Sequence, residues 1–305
     1  MVGRVEATAS PGRKSLINRG RQGRQNLPLP SSLFSCEEKE RESLLAFWIK
    51  AIGSGICFLF GSLVGSFLNV CIWRLPQGQS IVRPGSRCPR CQVRIAPRDN
   101  IPLLSYLLLR GRCRSCGQPI SARYPAVEAL AGASAAGLFI VFGPTVQTAV
   151  FFALICFLIV ATFTDLDRMI IPNWITLPGI VLGLSINALV SPGEIWKYLL
   201  GAVVGALSLL LIALVGEWIF KKESMGGGDL KLAALVGAFL GWQSVLLSLF
   251  TAILAGALTG TALIILGRKE RQHYIPFGPF IAIGTMVAIF WGGDIIQAYT
   301  NLVLL

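Results

Sequence analysis

Charge is what this sequence has least of. Only 14% of its 305 residues are Asp, Glu, Lys or Arg, where a soluble domain carries about 25%. The deficit argues against a water-soluble domain and for helix faces that meet lipid. Histidine is nearly absent as well, with His273 alone. One histidine cannot build the H-E-x-x-H helix of a zinc protease, and a Ser-His-Asp triad on His273 would lack the nucleophile elbow that such sites use. Acidic residues number 15 against 27 basic ones, a net charge of +12. That excess does not point to nucleic acid, because the basic residues lie in loops between apolar runs, where they orient a membrane protein.

What the chain has in quantity is long apolar runs: 54% of it is hydrophobic, with a mean hydropathy of +0.67. Runs at 44–73, 126–142, 145–163, 174–190, 198–220, 230–240, 245–266 and 276–291 predict an all-α, polytopic bundle in membrane lipid. A helix needs about 20 apolar residues to cross the hydrocarbon, so the expected count is about eight spans, or seven if the short run at Leu230 does not cross. Residues 1–43 are polar and rich in Arg, Ser, Gly and Pro; they read as a disordered extension, not as a cleaved signal peptide. A first span at 44–73 is followed by a polar cysteine-containing loop at 74–123 and by the main membrane core at 124–305. Between Arg74 and Arg123 there are ten Arg and one Asp, which places that loop on the cytoplasmic side of a bacterial inner membrane. Alternation then brings 165–173, 221–230 and 267–275 to the same side, with Lys221, Lys222, Arg268, Lys269 and Arg271.

Four of the eight cysteines form two C-x-x-C pairs, Cys88/Cys91 and Cys113/Cys116, with 21 residues between them. Each pair presents two thiolates to one ion, and two pairs complete a tetrahedral structural zinc site. Two disulfides or free thiols are the alternatives, the first disfavoured in a reducing compartment. Cys36, Cys57, Cys71 and Cys156 are isolated and read as small hydrophobes.

Carboxylates beside a membrane span are costly and therefore functional candidates. Asp165 and Asp167 follow the third apolar run, and Asp229 closes Met225-Gly226-Gly227-Gly228-Asp229 before the short run. The topology puts Asp165 and Asp229 at one boundary, although they are 64 residues apart. Two close carboxylates share a proton, so that one can deprotonate a water while the other polarises a carbonyl. The glycines before Asp229 would let an extended substrate approach the backbone. Singly, each Asp reads equally well as an interfacial charge, with Arg168 as local partner, and Asp167 competes with Asp165 for the catalytic role.

At these residues the sequence resembles the type IV prepilin peptidases, also called leader peptidase/N-methyltransferases. The shared features are Gly65–Val70, Arg74-Leu75-Pro76, the Cys88–Cys116 loop, Asn100-Ile101-Pro102, Arg123–Glu128, both aspartate motifs, Leu240–Gln243 and Ile275–Pro279. The resemblance implies an integral-membrane GxGD aspartyl peptidase that cuts prepilins or pseudopilins after a Gly, between a short basic leader and a hydrophobic helix. It maps the catalytic pair onto Asp165, with Pro172 seven residues later, and Asp229. It also implies methylation of the new N-terminal residue with S-adenosylmethionine, whose ligands the sequence does not name. Asn173 stands where many members have Asp, and Glu128, Glu217 and Lys231 receive no role. The competing readings are a presenilin-like protease, with its aspartates inside the hydrocarbon, and a non-enzymatic transporter or zinc scaffold.

Overall fold

In lipid no water is present to satisfy a free amide, so long apolar runs must close their hydrogen bonds internally and become helices. The structure, a computed structural model, describes residues 31–83, 85–221, 225–266 and 276–303. Nine helices stand among the described residues: α1 Ser31–Arg74, α2 Leu104–Leu108, α3 Arg123–Phe142, α4 Val146–Arg168, α5 Asn173–Val190, α6 Ile195–Phe220, α7 Gly227–Leu240, α8 Trp242–Ile265 and α9 Gly278–Val303. The chain divides into a unit ending at Ala46 and a unit from Phe47 to Leu305, which holds both candidate aspartates and the four paired cysteines. Helix α1 starts at Ser31, ahead of the apolar run, in a segment expected to be disordered. The run Glu37-Glu38-Lys39-Glu40-Arg41-Glu42 consists of good helix formers and accounts for this. Residues 1–30, and the basic residues Lys222, Arg268, Lys269 and Arg271, lie outside the described residues.

Seven helices among the described residues are long and apolar enough to cross a membrane: α1, α3, α4, α5, α6, α8 and α9. The eighth expected span is α7, whose 14 residues reach about 21 Å, short of a ~30 Å hydrocarbon core. Of the two counts expected, eight or seven, the described residues give seven helices of spanning length, and the reason is where α7 begins. Gly201 of α6 meets Gly237 of α7, and Gly205 meets Ala233, so the two helices run antiparallel. That register sets Asp229 level with Leu209, from which α6 continues through Leu210 to Phe220, about 16 Å further. Helix α7 thus starts recessed in the bundle and needs only the remaining depth to reach the far end. It runs parallel to α5, with Gly179 against Leu235 and Gly183 against Phe239. Helices α8 and α9 return as an antiparallel pair, joined by the Ser248–Thr285 hydroxyl contact at 2.9 Å.

Small residues set the closest approaches, as expected where lipid gives apolar side chains no reason to prefer each other. A Cβ on Gly237 would overlap the Gly201 carbonyl oxygen, so this crossing requires glycine on both sides. Leu209, Leu232, Leu235, Val236 and Phe239 fill the buried layer around it. Gly237→Val should force α6 from α7, cost more than the ~1–3 kcal/mol of ordinary overpacking, and remove folded protein from the membrane; a size-exclusion profile of solubilised variant reads this directly. Helices α1 and α3 use the same device, since a Cβ on Gly65 would come 2.8 Å from the Glu128 Cα. One turn on, the Asn69 side chain donates to the Tyr124 carbonyl at 3.1 Å. The Gly65–Val70 motif is therefore the α1–α3 contact.

Candidate active site

The cysteine loop is built from two copies of one turn. The Cys88 amide donates to the Val93 carbonyl and the Cys113 amide to the Gln118 carbonyl, while the amides of Gln92 and Gly117 donate back to Cys88 and Cys113. Bridges Arg87–Arg94 and Arg112–Pro119 close the two knuckles. The fifth position of each needs a left-handed backbone, met by Gly117 at φ 67° and by Gln92 at φ 57°. All four sulfurs lie within 4.8 Å of one another, which fits a tetrahedral metal. Backbone amides, that of Cys91 foremost, pull the Cys88 thiol down to about 7. Arg114 reaches both oxygens of Asp99, the closest contact being 2.7 Å, and holds that carboxyl below the usual carboxylate range.

Glu128 lies in the second turn of α3 and is buried. Its carboxylate accepts the Leu103 amide at 2.8 Å, which ties the loop to α3 at a residue with φ 60°. Lys231, also unassigned by the sequence, donates to Asn173 at 2.7 Å and links α7 to α5.

Asp165 lies in the last turn of α4 and is buried. The Gly278 amide, first in α9, donates to its Oδ2 at 2.9 Å. Gly278 went unnoticed as a site residue, although Pro279 after it marks a helix start; a Cβ there would come 2.8 Å from the same oxygen. Asp229 stands in the first turn of α7, half-buried, with its amide bonded to the Gly226 carbonyl at 3.1 Å. It feels the Asp165 carboxylate electrostatically. The negative charge that a carboxylate pair keeps is thus faced by two helix N-termini, those of α7 and α9. Gly228 packs on Ile171, while Gly227 borders open space.

Asp167 is drawn elsewhere. It forms an ion pair with Arg123 at the start of α3, so its partner is Arg123 and not Arg168. Of the three acidic residues proposed from sequence, the fold brings Asp165 and Asp229 together and turns Asp167 towards α3. By the α6–α7 register the pair, at the ends of α4 and α7, is recessed from the end of α6.

Residues 59–142 match the bacterial peptidase A24 N-terminal domain, and residues 152–261 match the type IV leader peptidase family. A prepilin leader peptidase/N-methyltransferase of Aeromonas hydrophila is 39% identical over 275 residues, covering 80% of this chain and 92% of that protein. The protein of the same name from Bacillus subtilis (strain 168) is 37% identical over 250 residues, covering 82% and 98%. The one from Myxococcus xanthus (strain DK1622) is 44% identical over 208 residues, covering 68% and 62%. No solved structure matches the chain.

Proposed function

Because the chain belongs to the type IV leader peptidase family, we propose that it cleaves the leader from prepilins or pseudopilins after Gly, using Asp165 and Asp229, and then N-methylates the new terminus. The observation that carries the peptidase reading is that the Asp165 charge reaches Asp229, both standing at helix ends, the first held by the amide that opens α9. Neighbouring carboxylates hold one proton between them. The ionised member takes a proton from water as the oxygen attacks the scissile carbonyl, and the protonated member donates to that carbonyl oxygen. Collapse of the tetrahedral intermediate passes a proton to the leaving amine and restores the pair. The Gly278 amide fixes the Asp165 carboxylate in position throughout.

Recession of the pair removes depth as a means of separating this reading from a presenilin-like one; membership in the family favours prepilins. The cysteines Cys88, Cys91, Cys113 and Cys116 would hold one zinc that folds the loop, with no open position for chemistry. For S-adenosylmethionine, the strongest polar cluster near the loop is Ser62, Asn69 and Glu128, where Ser62 Oγ and Asn69 Oδ1 have no partner. Its helices meet through Gly65 at van der Waals contact, which leaves no room for an adenosyl group. The cluster does not fit that cofactor.

The proposed location is a bacterial inner membrane with the site opening to the cytoplasm, from the Arg-rich loop on the site's side. Cysteine reporters test it on a background without Cys36, Cys57, Cys71 and Cys156, with labelled peptides resolved by mass. Gly193→Cys, in the turn before α6, should react with an impermeant maleimide in intact spheroplasts, and Met225→Cys only after lysis. The reverse pattern would mean an inverted protein whose site never meets a basic leader.

A further inference from the structure

We propose that the exposed face of α5 from Asn173 to Ser185 seats the apolar helix that follows the scissile bond of the substrate; this rests on the peptidase reading above. Along that face runs a shallow, open groove of about 700 Å³ lined by α5 alone, with Leu177, Val181 and Leu182 along its length. Its near end is continuous with the site: Asn173 accepts from Lys231, two residues beyond Asp229, at 2.7 Å, and Ile171 packs on Gly228. The opposite face of α5 lies along α7, through Gly179 on Leu235 and Gly183 on Phe239. The groove therefore starts level with the carboxylates and runs parallel to the helix that carries Asp229.

Direction and length fit one occupant. A basic leader stays on the cytoplasmic side, so the helix after the cut bond must leave the carboxylates towards the far end of the bundle, as the groove does. Asn173 to Ser185 spans about 18 Å, some three helical turns. The face is apolar and uncharged between its polar ends, which suits a hydrophobic helix.

The test uses the full-length protein in proteoliposomes with two substrates, a complete prepilin and a leader peptide truncated just after the scissile bond. Val181→Trp fills the groove without touching the carboxylates. It should raise KM for the complete prepilin about tenfold, the scale of one lost anchoring contact, with kcat unchanged and the truncated peptide cut at the wild-type rate. A photo-crosslinking residue at position 181 should capture the apolar segment of the prepilin, and the same residue in place of Leu211 on α6 should not. Unchanged KM, equal loss with both substrates, or capture only of lipid or of a second copy overturns the proposal. If the wild type cuts neither substrate, the peptidase reading fails and the groove proposal falls with it.

Discussion

Asp165→Asn and Asp229→Asn should each abolish leader removal, by roughly 10³-fold or more, while the amount of protein in the membrane stays unchanged. The reason is the shared proton: an amide can neither take a proton from water nor return one to the leaving amine. The fold should survive. An Asn at position 165 still offers an oxygen to the Gly278 amide, and one at position 229 leaves the Gly226–Asp229 backbone turn intact. Asp167→Asn should be milder, because it weakens an ion pair with Arg123 and leaves the carboxylate pair in place. Membranes expressing each variant with a prepilin, resolved by gel shift of the leader, give the comparison. Full loss with Asp167→Asn and retained cleavage with Asp165→Asn would assign catalysis to the other residue.

The second large effect concerns metal. Purified protein should contain one zinc per chain, and Cys88→Ser should release it, since three sulfurs leave the tetrahedron open. Zinc requires deprotonated thiols, so affinity falls as pH drops and protons compete for the sulfurs. Backbone amides, that of Cys91 foremost, hold the Cys88 thiol at about 7. Loss of metal should damage methylation more than cleavage, because Asp165 and Asp229 stand on α4 and α7, outside the loop. Elemental analysis against protein concentration decides it; a value near zero with four freely titrating thiols would contradict the assignment.

The long spans were legible because hydrocarbon permits an apolar run little but a helix; α3 to α6 and α8 fall where hydropathy puts them, and α9 runs on past the expected end at 291 to Val303. The recession of Asp229 was not legible. It depends on how far Gly201 slides along Gly237, a register that no run length encodes. The same limit hid Gly278, whose amide reaches Asp165 from 113 residues away, and the Arg123–Asp167 pair, for which the sequence offered the nearer Arg168. The cysteine knuckles were fully readable, because their geometry is local: a C-x-x-C turn with a left-handed residue behind it. Glu128 received no role for the opposite reason: its partner is a loop amide at Leu103, 25 residues away.

The central claim, that the paired carboxylates of this chain hydrolyse a prepilin leader, is tested most directly by the mass of the product N-terminus after purified, zinc-loaded protein is reconstituted with a prepilin. The expected result is loss of the leader after its final Gly with the wild type and intact prepilin with Asp229→Asn. Cleavage that persists in Asp229→Asn, or an intact prepilin after incubation with folded wild-type protein, would contradict it.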